Sequence, residues 1–430
     1  MRLQIESMDI KEIRSGVKTY VADHLLHVDL NELEKLLLQD GRIRSVALHL
    51  VRPGDPVRMV NVVDILQPRC KLDPDGQDFP GWLGKVKLAG QGRTRSLTGI
   101  GVVLSNQFSK RPYASMFDMF GVGGKVSSYG SMRHLHLDPV PAEGTEERDF
   151  ESAVKLAGMK TAVYLARRAE GHPVDQTDVY DLDIPSLVPR GKSTLPRVAY
   201  YYQLHTPQHD YQGRPDPILY GSEVNNLFPT IMHPNEILDG ALVNPHTMRC
   251  QDTYSIQNHA VIKELYKHHG KDLNFAGVVV GVASLEPAQR QRMVVMASNL
   301  MANVLGADGV VMTKAYGGMP HVDLAETAEA CERLDVKTTL FVMLWHTVGS
   351  ISDQIYFNPE SLNAIINVGQ ICERYHLPRA ETILGGTPET RLPNPDFVQK
   401  AGDPLVDMEC FLVAGVVEML GGSRTIGVEY

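Results

Sequence analysis

The segment FAGVVVGVAS, Phe275–Ser284, determines the fold prediction for the second half of the chain. Its apolar residues follow one another without alternating polar ones, which is typical of a parallel strand buried on both faces. Ser284 is placed to cap a helix over Leu285–Leu305, and Gly306 is placed to end that helix. The segment therefore predicts a buried strand followed by a helix.

The same alternation continues toward the C-terminus. DGVVMT (308–313), KTTLFVML (337–344) and NAIINVG (363–369) predict further strands, and Asp323–Leu334 predicts a helix. Strands that alternate with helices at this spacing indicate a parallel sheet with helices on both faces. We therefore predict a doubly wound, Rossmann- or flavodoxin-like α/β domain over residues 191–430. No GxGxxG motif follows these strands, so we expect no dinucleotide cofactor.

Residues 1–190 show a different pattern, in which strands are less regularly separated by helices. Asp29–Asp40 predicts a short helix, with Asp29 as N-cap and Glu32 at the third position of a capping box. Apolar steps of three and four residues predict a second helix over Glu146–Ala169. SVALHLV and VRMVNVVDIL predict strands on either side of the turn RPGDP. We predict an N-terminal α+β domain with a mixed sheet.

The composition of the chain argues against some classes of binding partner. The chain has 430 residues and a formal net charge of −9, with 43% hydrophobic and 22% charged residues. This balance is typical of a globular protein and argues against binding to nucleic acid or to an anionic membrane surface. No segment is apolar enough to span a bilayer or to serve as a signal peptide. The five cysteines are widely spaced, so we expect a reducing cytoplasm.

One cysteine has unusual neighbours. Cys250 lies in the polar, turn-rich segment DGALVNPHTMRCQDTYS, whereas the other cysteines lie in strand-like, amphipathic or apolar segments. Nearby Arg249 and His246 would favour its thiolate. Three chemistries suit an exposed cysteine of this kind: nucleophilic catalysis with His246 or His259 as base, redox sensing, and self-processing through an N→S acyl shift. We take residues 239–258 as the candidate processing or active-site segment.

Two further loops follow predicted strands. Lys314 and His321 lie in the first loop, and His346 lies in the second. Because ligands collect at the carboxyl ends of strands in open α/β sheets, these side chains are candidates for substrate binding. The alternative is that both are ordinary polar loops. The sixteen histidines show no HExxH motif and no spacing that would define three ligands, so we predict no metal site.

Several segments resemble a known family. RPGDPVRMVNVVDILQPR (52–69), HPNEILDGA (233–241) and VIKELYKHHGKDLNF (261–275) are similar to the glycine/sarcosine/betaine reductase component B family. The match is to its non-selenium, proprotein-type subunit, which is related to the D-proline reductase proprotein. The resemblance implies that the chain is cut at a cysteine whose remnant becomes a pyruvoyl group. Cys250 is the cysteine in the corresponding window.

The positions of other residues next to Cys250 suggest roles for them in this processing. His246 and Thr247 would assist the acyl shift, and Asp252 or His259 would transfer protons during the elimination that follows. The side chains of His233, Asn235 and Glu236, in HPNE, would form a polar wall of the same pocket, unless Asn235 serves only as a helix cap. These five catalytic candidates and the three pocket residues are expectations from adjacency and from the family pattern.

The expected function is that of a substrate-binding subunit in a multi-component reductase. It would cleave the C–N bond of glycine or an N-methylated glycine, since a pyruvoyl carbonyl condenses with an amine and acts as an electron sink. The partner would be a second component B-type subunit with a selenocysteine or a thiol, in a hetero-oligomer. Two alternatives remain: an unprocessed scaffold or binding subunit, and an enzyme that uses Cys250 directly as a nucleophile.

Overall fold

The computed structural model of this protein describes residues 1–107, 115–184, 194–204, 217–225, 227–245, 250–284, 286–314, 319–344, 362, 364–370, 373–386, 405–423 and 428–429. The strands of the first part of the chain are β1 (Arg2–Asp9), β2 (Glu12–Ser15), β3 (Tyr20–Ala22), β4 (Leu25–Val28), β5 (Ile43–Val51), β6 (Val57–Leu66), β7 (Arg69–Lys71), β8 (Gly92–Thr98), β9 (Ile100–Ser105), β10 (Ser115–Asp118), β11 (Arg133–Pro141) and β12 (Gln176–Asp181). The strands of the second part are β13 (Arg197–Leu204), β14 (Thr230–Met232), β15 (Asn274–Val282), β16 (Gly309–Thr313), β17 (Lys337–Leu344), β18 (Ala364–Gln370), β19 (Arg374–Pro378), β20 (Thr382–Leu384), β21 (Leu405–Glu409) and β22 (Val428–Glu429).

The α-helices are α1 (Leu30–Leu37), α2 (Gly121–Val126), α3 (Glu147–Arg167), α4 (Pro234–Leu238), α5 (Thr253–Gln257), α6 (Ala260–His268), α7 (Pro287–Asn299) and α8 (Met319–Glu332). In the described residues they are accompanied by the 3-10 turns Ser128–Ser131 and Cys410–Leu412 and by the π turn Leu300–Val304. Within the described parts of the chain, no helix is both long enough and apolar enough to cross a membrane.

Two mixed sheets dominate the first part of the chain. One has the order β12-β1-β8-β7, and the other has the order β10-β6-β9-β11-β5. Helix α3 packs across both sheets through Phe150, Val154 and Leu165. Gly158 permits this close approach, because a Cβ at that position would lie 2.6 Å from a methyl carbon of Leu104. The predicted mixed-sheet α+β arrangement of this part is therefore present.

A seven-stranded sheet organises the second part. Its order is β14-β15-β13-β16-β17-β18-β22, and the five strands from β15 to β18 in this order are parallel. Because side chains alternate along β13, Tyr200 and Tyr202 pack on the α5–α6 side with Ile262, whereas Tyr201 packs on the α7–α8 side with Leu324. The predicted α/β class is confirmed, and the described chain contains several mixed sheets.

The chain then returns to the first part. Strand β20 pairs in parallel with β6, and Met116 of β10 forms a bridge with Val413. Residues 405–423 thereby contribute to the same core as Phe117 and Cys250. This return is what brings Cys250 into contact with residues far from it in sequence.

Two predicted helix boundaries were wrong. Helix α7 begins at Pro287, and its N-cap is Glu286, whose carboxylate accepts hydrogen bonds from the backbone N–H groups of Ala288 and Gln289. The cap is not Ser284, because proline favours the first position of a helix and so places the cap immediately before it. Helix α8 begins at Met319 rather than Asp323, since a proline is tolerated in the first turn.

Candidate active site

Cys250 lies at a cavity of about 180 Å³ between the two parts of the chain. The described residues that line this cavity come from three regions: 115–132 of the first part, 250–260, and 414–422 near the C-terminus. The lining carries the thiol of Cys250, the carboxyl groups of Asp252 and Glu418, and the phenol rings of Tyr129 and Tyr254. The volume is sufficient for several water molecules or for a small organic ligand.

The prediction that Cys250 is exposed was wrong, since only 8% of its surface is accessible. The segment 405–423 covers it, a contact that no local sequence pattern could indicate. The Sγ atom of Cys250 is 3.9 Å from the carbonyl oxygen of Phe411, to which it donates a weak hydrogen bond. The backbone N–H of Met419 donates a hydrogen bond of 2.9 Å to the carbonyl oxygen of Cys250.

The backbone at Cys250 is strained. Its φ of +58° lies in the left-handed region, where the Cβ of an L-residue approaches the following carbonyl oxygen. A non-glycine residue in this conformation costs on the order of 1–2 kcal/mol. The surrounding contacts must hold the residue there, and strain of this kind is concentrated at functional sites.

Asp252 follows two residues later and performs two tasks. Its Oδ1 atom accepts the backbone N–H of Ser255 at 2.7 Å and so caps α5, while its Oδ2 atom accepts the Tyr129 hydroxyl at 2.6 Å. Burial raises the pKa of Asp252 to about 6, although the bonds from Tyr129 and Ser255 oppose this rise. Asp252 is therefore mostly ionised at neutral pH.

Glu418 is a second carboxyl group on the cavity wall. Its two oxygens accept hydrogen bonds of 2.6 Å from the backbone N–H groups of Leu420 and Gly422. Burial raises the pKa of Glu418 to about 8, and the negative charge of Asp252 adds to the rise. Glu418 is therefore mostly protonated at neutral pH, unlike Asp252 on the same wall.

Lys314 stands at the carboxyl end of β16, directly after Thr313. It is 2% exposed, and its Nζ atom lies 3.3 Å from Nδ1 of His321, which can accept its hydrogen bond. Burial lowers the pKa of Lys314 to about 8, while the charge of Cys250 raises it. Burial and the charge of Lys314 together lower the pKa of His321 to about 3, so His321 is neutral. The structure thus brings Lys314, His321 and Cys250 near one another.

His259 is buried, and it is not among the described residues that line the cavity, although its neighbours Asn258 and Ala260 are. Its ring packs edge-on against Tyr200 and Tyr202, and its Nε2 atom lies 3.1 Å from the Tyr200 hydroxyl. The Tyr200 hydroxyl is in turn 2.5 Å from Thr313 Oγ1. Burial lowers the pKa of His259 to about 3, so the ring is neutral. It links the start of α6 to the end of β16.

The HPNE segment lies away from the described cavity wall. His233 is the N-cap of α4, with Glu236 completing a capping box. The amide nitrogen of Asn235 donates hydrogen bonds to the carbonyl oxygens of Gly90 and Tyr180, and its Oδ1 accepts the Tyr266 hydroxyl. These bonds connect the two parts of the chain. The helix cap is thus His233 rather than Asn235.

Some predicted residues cannot be placed. His246, Thr247 and His346 lie outside the described residues. Among the residues that are described, no group of three His, Cys, Asp or Glu side chains is arranged to hold a metal ion.

The sequence analysis did not identify Glu418 and Tyr129 as residues of the candidate site, although both line the cavity. Glu418 lies in the apolar run MECFLVAGVVEML, where a single glutamate among buried residues is a usable signal. Tyr129 lies in a glycine- and serine-rich segment that carries no comparable signal.

Comparisons with known proteins indicate the family to which the chain belongs. The family model for glycine/sarcosine/betaine reductase component B subunits matches residues 1–402. One relative, glycine reductase complex component B subunits alpha and beta of Acetoanaerobium sticklandii, is 30% identical over 395 residues, which is 90% of this chain and 89% of the relative. Another, sarcosine reductase complex component B subunit alpha of Peptoclostridium acidaminophilum, is 31% identical over 389 residues, 90% of this chain and 89% of the relative.

A third relative, betaine reductase complex component B subunit alpha of the same organism, is 30% identical over 392 residues, 90% of this chain and 88% of the relative. No solved structure matches the chain. A family match over nearly the whole length, together with relatives of similar length, leads to one conclusion. The chain belongs to the family of glycine/sarcosine/betaine reductase component B subunits.

Proposed function

We propose that this chain is the substrate-binding and activating subunit of a multi-component reductase that cleaves the C–N bond of glycine or an N-methylated glycine. The proposal includes a pyruvoyl group formed from Cys250, and a partner subunit that supplies a selenolate or thiolate. Support for the substrate class comes from the names of the relatives, which are glycine, sarcosine and betaine reductase components. The observation that carries the proposal is the strained, enclosed Cys250 at the cavity wall.

The relatives also support a cut in the chain. Two of them, from different organisms, are each described as subunits alpha and beta although each is matched as a single sequence. A chain that is cut into two pieces would receive such a name. A cut before Cys250 would divide this chain between β14 and β15, so both pieces would contribute strands to the seven-stranded sheet.

Formation of the pyruvoyl group would begin at Cys250. The Sγ atom attacks the carbonyl carbon of residue 249, and the peptide nitrogen of Cys250 leaves, which yields a thioester and a free amine. A base then removes the Cα proton of Cys250, the Cβ–S bond breaks, and the thiocarboxylate of the first piece leaves. The resulting dehydroalanine becomes an imine, and water releases ammonia and leaves the carbonyl.

The contacts of Cys250 suit this sequence. Removal of the Cα proton places negative charge on the carbonyl oxygen of Cys250, and the backbone N–H of Met419 already donates a hydrogen bond to that oxygen. Lys314 interacts electrostatically with Cys250, and its pKa of about 8 leaves a useful fraction of the amine neutral, so we propose it as the base. The cavity beside Cys250 has room for the water that releases ammonia.

When present, the pyruvoyl carbonyl would supply an electron sink for the amine of the substrate, so that a partner's selenolate or thiolate could attack the neighbouring carbon. In our proposal, Met419 holds the residue 250 carbonyl, and the cavity wall orients the amine toward it. We also propose that residues 191–430 form a doubly wound domain, since the five parallel strands, numbered along the chain, have the order 2-1-3-4-5. Lys314 follows strand 3, beside strand 1, where such sheets bind ligands.

The experiment uses the full-length protein incubated with ¹⁴C-glycine or ¹⁴C-sarcosine and then reduced with sodium borohydride. We expect radioactivity on the piece that begins at residue 250 in the wild-type protein and none in the Cys250→Ala variant. The Cys250→Ser variant should become labelled slowly, because a hydroxyl can undergo the same acyl shift. Full activity of the Cys250→Ala variant in the assembled complex would contradict the proposal.

A further inference from the structure

Lys314 and His321 form a buried pair of side chains. Lys314 directly follows the last residue of β16, and His321 lies in the first turn of α8. The Nζ atom of Lys314 is 3.3 Å from Nδ1 of His321, and each residue is only 2% exposed. Lys314 also interacts electrostatically with Cys250. The pair therefore lies close to the residue that we propose as the origin of the pyruvoyl group.

The first turn of α8 is held in place by neighbouring strands. The Nε2 atom of Gln203, in β13, donates a hydrogen bond of 3.0 Å to the carbonyl oxygen of Pro320. The Oδ2 atom of Asp323 accepts the backbone N–H of Ser284, just after β15, at 3.0 Å. Because His321 lies between Pro320 and Asp323 in sequence, these bonds fix its backbone relative to the sheet. A ring anchored in this way can hold a long, flexible side chain in one position.

The protonation states of the two groups determine the direction of their hydrogen bond. Lys314, with a pKa of about 8, is mostly an ammonium group at neutral pH, and an ammonium group only donates hydrogen bonds. Burial and the charge of Lys314 keep His321 neutral, so Nδ1 is the acceptor and the single ring proton is on Nε2. Nε2 has no hydrogen-bond partner among the described residues, and an unsatisfied buried donor lowers stability. Stability alone therefore does not explain the pair.

We propose that His321 is the positioning residue for Lys314: its Nδ1 atom accepts one N–H of the Lys314 amine and so directs the lone pair of the neutral amine toward Cys250. The inference rests on the proposed function, in which Lys314 removes the Cα proton. That proton passes to the lone pair of Nζ. The electrons of the C–H bond form the Cα=Cβ double bond, and the thiocarboxylate leaves with the electrons of the Cβ–S bond. An amine that rotated freely would point its lone pair away from Cα for much of the time.

The first test identifies the tautomer of His321 and needs no cut chain. The full-length Cys250→Ala variant, labelled with ¹⁵N in its histidine rings, is measured by NMR, and the His321 signals are those that disappear in a Cys250→Ala/His321→Asn variant. We expect a protonated Nε2 and an unprotonated Nδ1, with the Nδ1 signal shifting as Lys314 titrates. A proton on Nδ1 would overturn the inference, because Nδ1–H would then donate to the lone pair of Lys314 and block it.

The second test is the pH dependence of chain cleavage in the full-length protein. His321→Leu removes the acceptor, whereas His321→Asn has nearly the same size as the leucine variant and keeps an acceptor oxygen. Loss of the acceptor destabilises the ammonium form of Lys314, so the pH at which the rate levels off should fall by about one unit in His321→Leu. Its maximum rate should fall about ten- to a hundredfold, because the lone pair is no longer directed. His321→Asn should keep both values close to those of the wild type.

The comparison of the two variants isolates the bond between Lys314 and His321. The charge of Cys250 acts on Lys314, and the charge of Lys314 acts on His321. The next ionisable groups on β13, α7 and α8 are Tyr201, Arg290, Asp323 and Glu326. All of these groups are the same in His321→Leu and His321→Asn. A difference in pH profile between the two variants therefore reports the acceptor at position 321.

His136→Leu is the matched control. His136 is also a buried histidine, with a pKa that burial lowers to about 3, and its Nε2 atom is 2.8 Å from Ser105 Oγ. It lies in β11, outside the described cavity wall. This variant should lose stability but keep the wild-type pH profile of cleavage.

Two cleavage results would overturn the inference: a wild-type pH profile in His321→Leu, or an equal loss of rate in His321→Leu and His321→Asn. If His321→Leu does not fold, the tautomer of His321 decides the question. Failure of the proposed function is a different result, since it would appear as a wild-type chain that is never cut. The NMR measurement does not depend on that cut.

Discussion

The backbone N–H of Met419 donates a hydrogen bond to the carbonyl oxygen of Cys250 at 2.9 Å. This bond joins the C-terminal segment to the residue that we propose as the origin of the pyruvoyl group. It also helps to hold Cys250 at a φ of +58°, a conformation that the residue would not adopt without support. The strain and the hydrogen bond therefore act on the same residue.

The strain at Cys250 leads to a prediction about stability. The Cys250→Gly variant should be more stable than Cys250→Ala by about 1 kcal/mol, because glycine adopts a positive φ without the Cβ clash. Urea denaturation of both variants measures the difference. At Cys331, which is buried in α8, the order should reverse, with glycine about 1 kcal/mol less stable than alanine. Equal stability of the two Cys250 variants would show that the residue is not strained.

Lys314 should control the rate of cutting. If neutral Lys314 removes the Cα proton, the rate of chain cleavage should rise with pH and level off above about 8. Lys314→Arg, which stays protonated, should slow cleavage by about a hundredfold or more. Time courses on denaturing gels at several pH values measure this.

The control for Lys314 is Lys263→Arg. Burial also lowers the pKa of Lys263 to about 8, but its Nζ atom donates to Asn258 at 2.9 Å, a bond that arginine can replace. This variant should cleave at nearly the wild-type rate. Normal cleavage in Lys314→Arg would remove Lys314 from the mechanism.

Asp64 should make stability depend on pH in the opposite sense to ordinary acid denaturation. Burial raises its pKa from 3.8 to about 7, although bonds from Thr253 oppose the rise. Between these values the unfolded chain has lost the proton that the folded chain keeps, so the free energy of unfolding falls as pH rises. The contribution is up to about 1.4 kcal/mol per pH unit. Urea denaturation between pH 5 and 7 should show a smaller slope in Asp64→Asn than in the wild type.

The matched control for this slope is the exposed Asp75→Asn, which should leave it unchanged. Asp64 matters to the site because its Oδ atoms accept the backbone N–H and the hydroxyl of Thr253, at 2.8 and 2.6 Å. Thr253 is the first residue of α5, directly after Asp252. An identical slope in Asp64→Asn and the wild type would contradict the buried, protonated state of Asp64.

The sequence predicts those parts of the fold that depend on local pattern. The apolar run before Ser284 became β15, and the apolar spacing over Glu146–Ala169 became α3. Asp29 is the N-cap of α1, but Glu32 contacts the Tyr164 hydroxyl instead of completing the capping box. Which partner a side chain such as Glu32 bonds with depends on tertiary contacts, and the local sequence pattern carries no information about these contacts.

The candidate site was less predictable for the same reason. Cys250 could be distinguished from the other cysteines by its neighbours, but its burial comes from residues 405–423, far along the chain. Glu418 and Tyr129 reach the cavity from positions that are far apart in the sequence. Only the pairing of β20 with β6 and the return of the chain place them together. Long-range contacts of this kind carry no periodic signal.

The sheet order makes a prediction about the two pieces of a cut chain. Strand β13 lies between β15 and β16, and residue 250 separates β13 from both of them in sequence. The pieces 1–249 and 250–430 should therefore co-elute in gel filtration under native conditions. They should separate only in denaturant. Elution as two separate species in native buffer would contradict this sheet.

The central claim is that Cys250 becomes a carbonyl at a new N-terminus. The most direct measurement is mass spectrometry of the purified wild-type protein under denaturing conditions, before and after treatment with phenylhydrazine. Our account predicts two pieces divided before residue 250, of which the second lacks the amine and thiol of Cys250 and gains one hydrazone. A single intact chain that does not react with phenylhydrazine, under conditions that cut a relative, would contradict it.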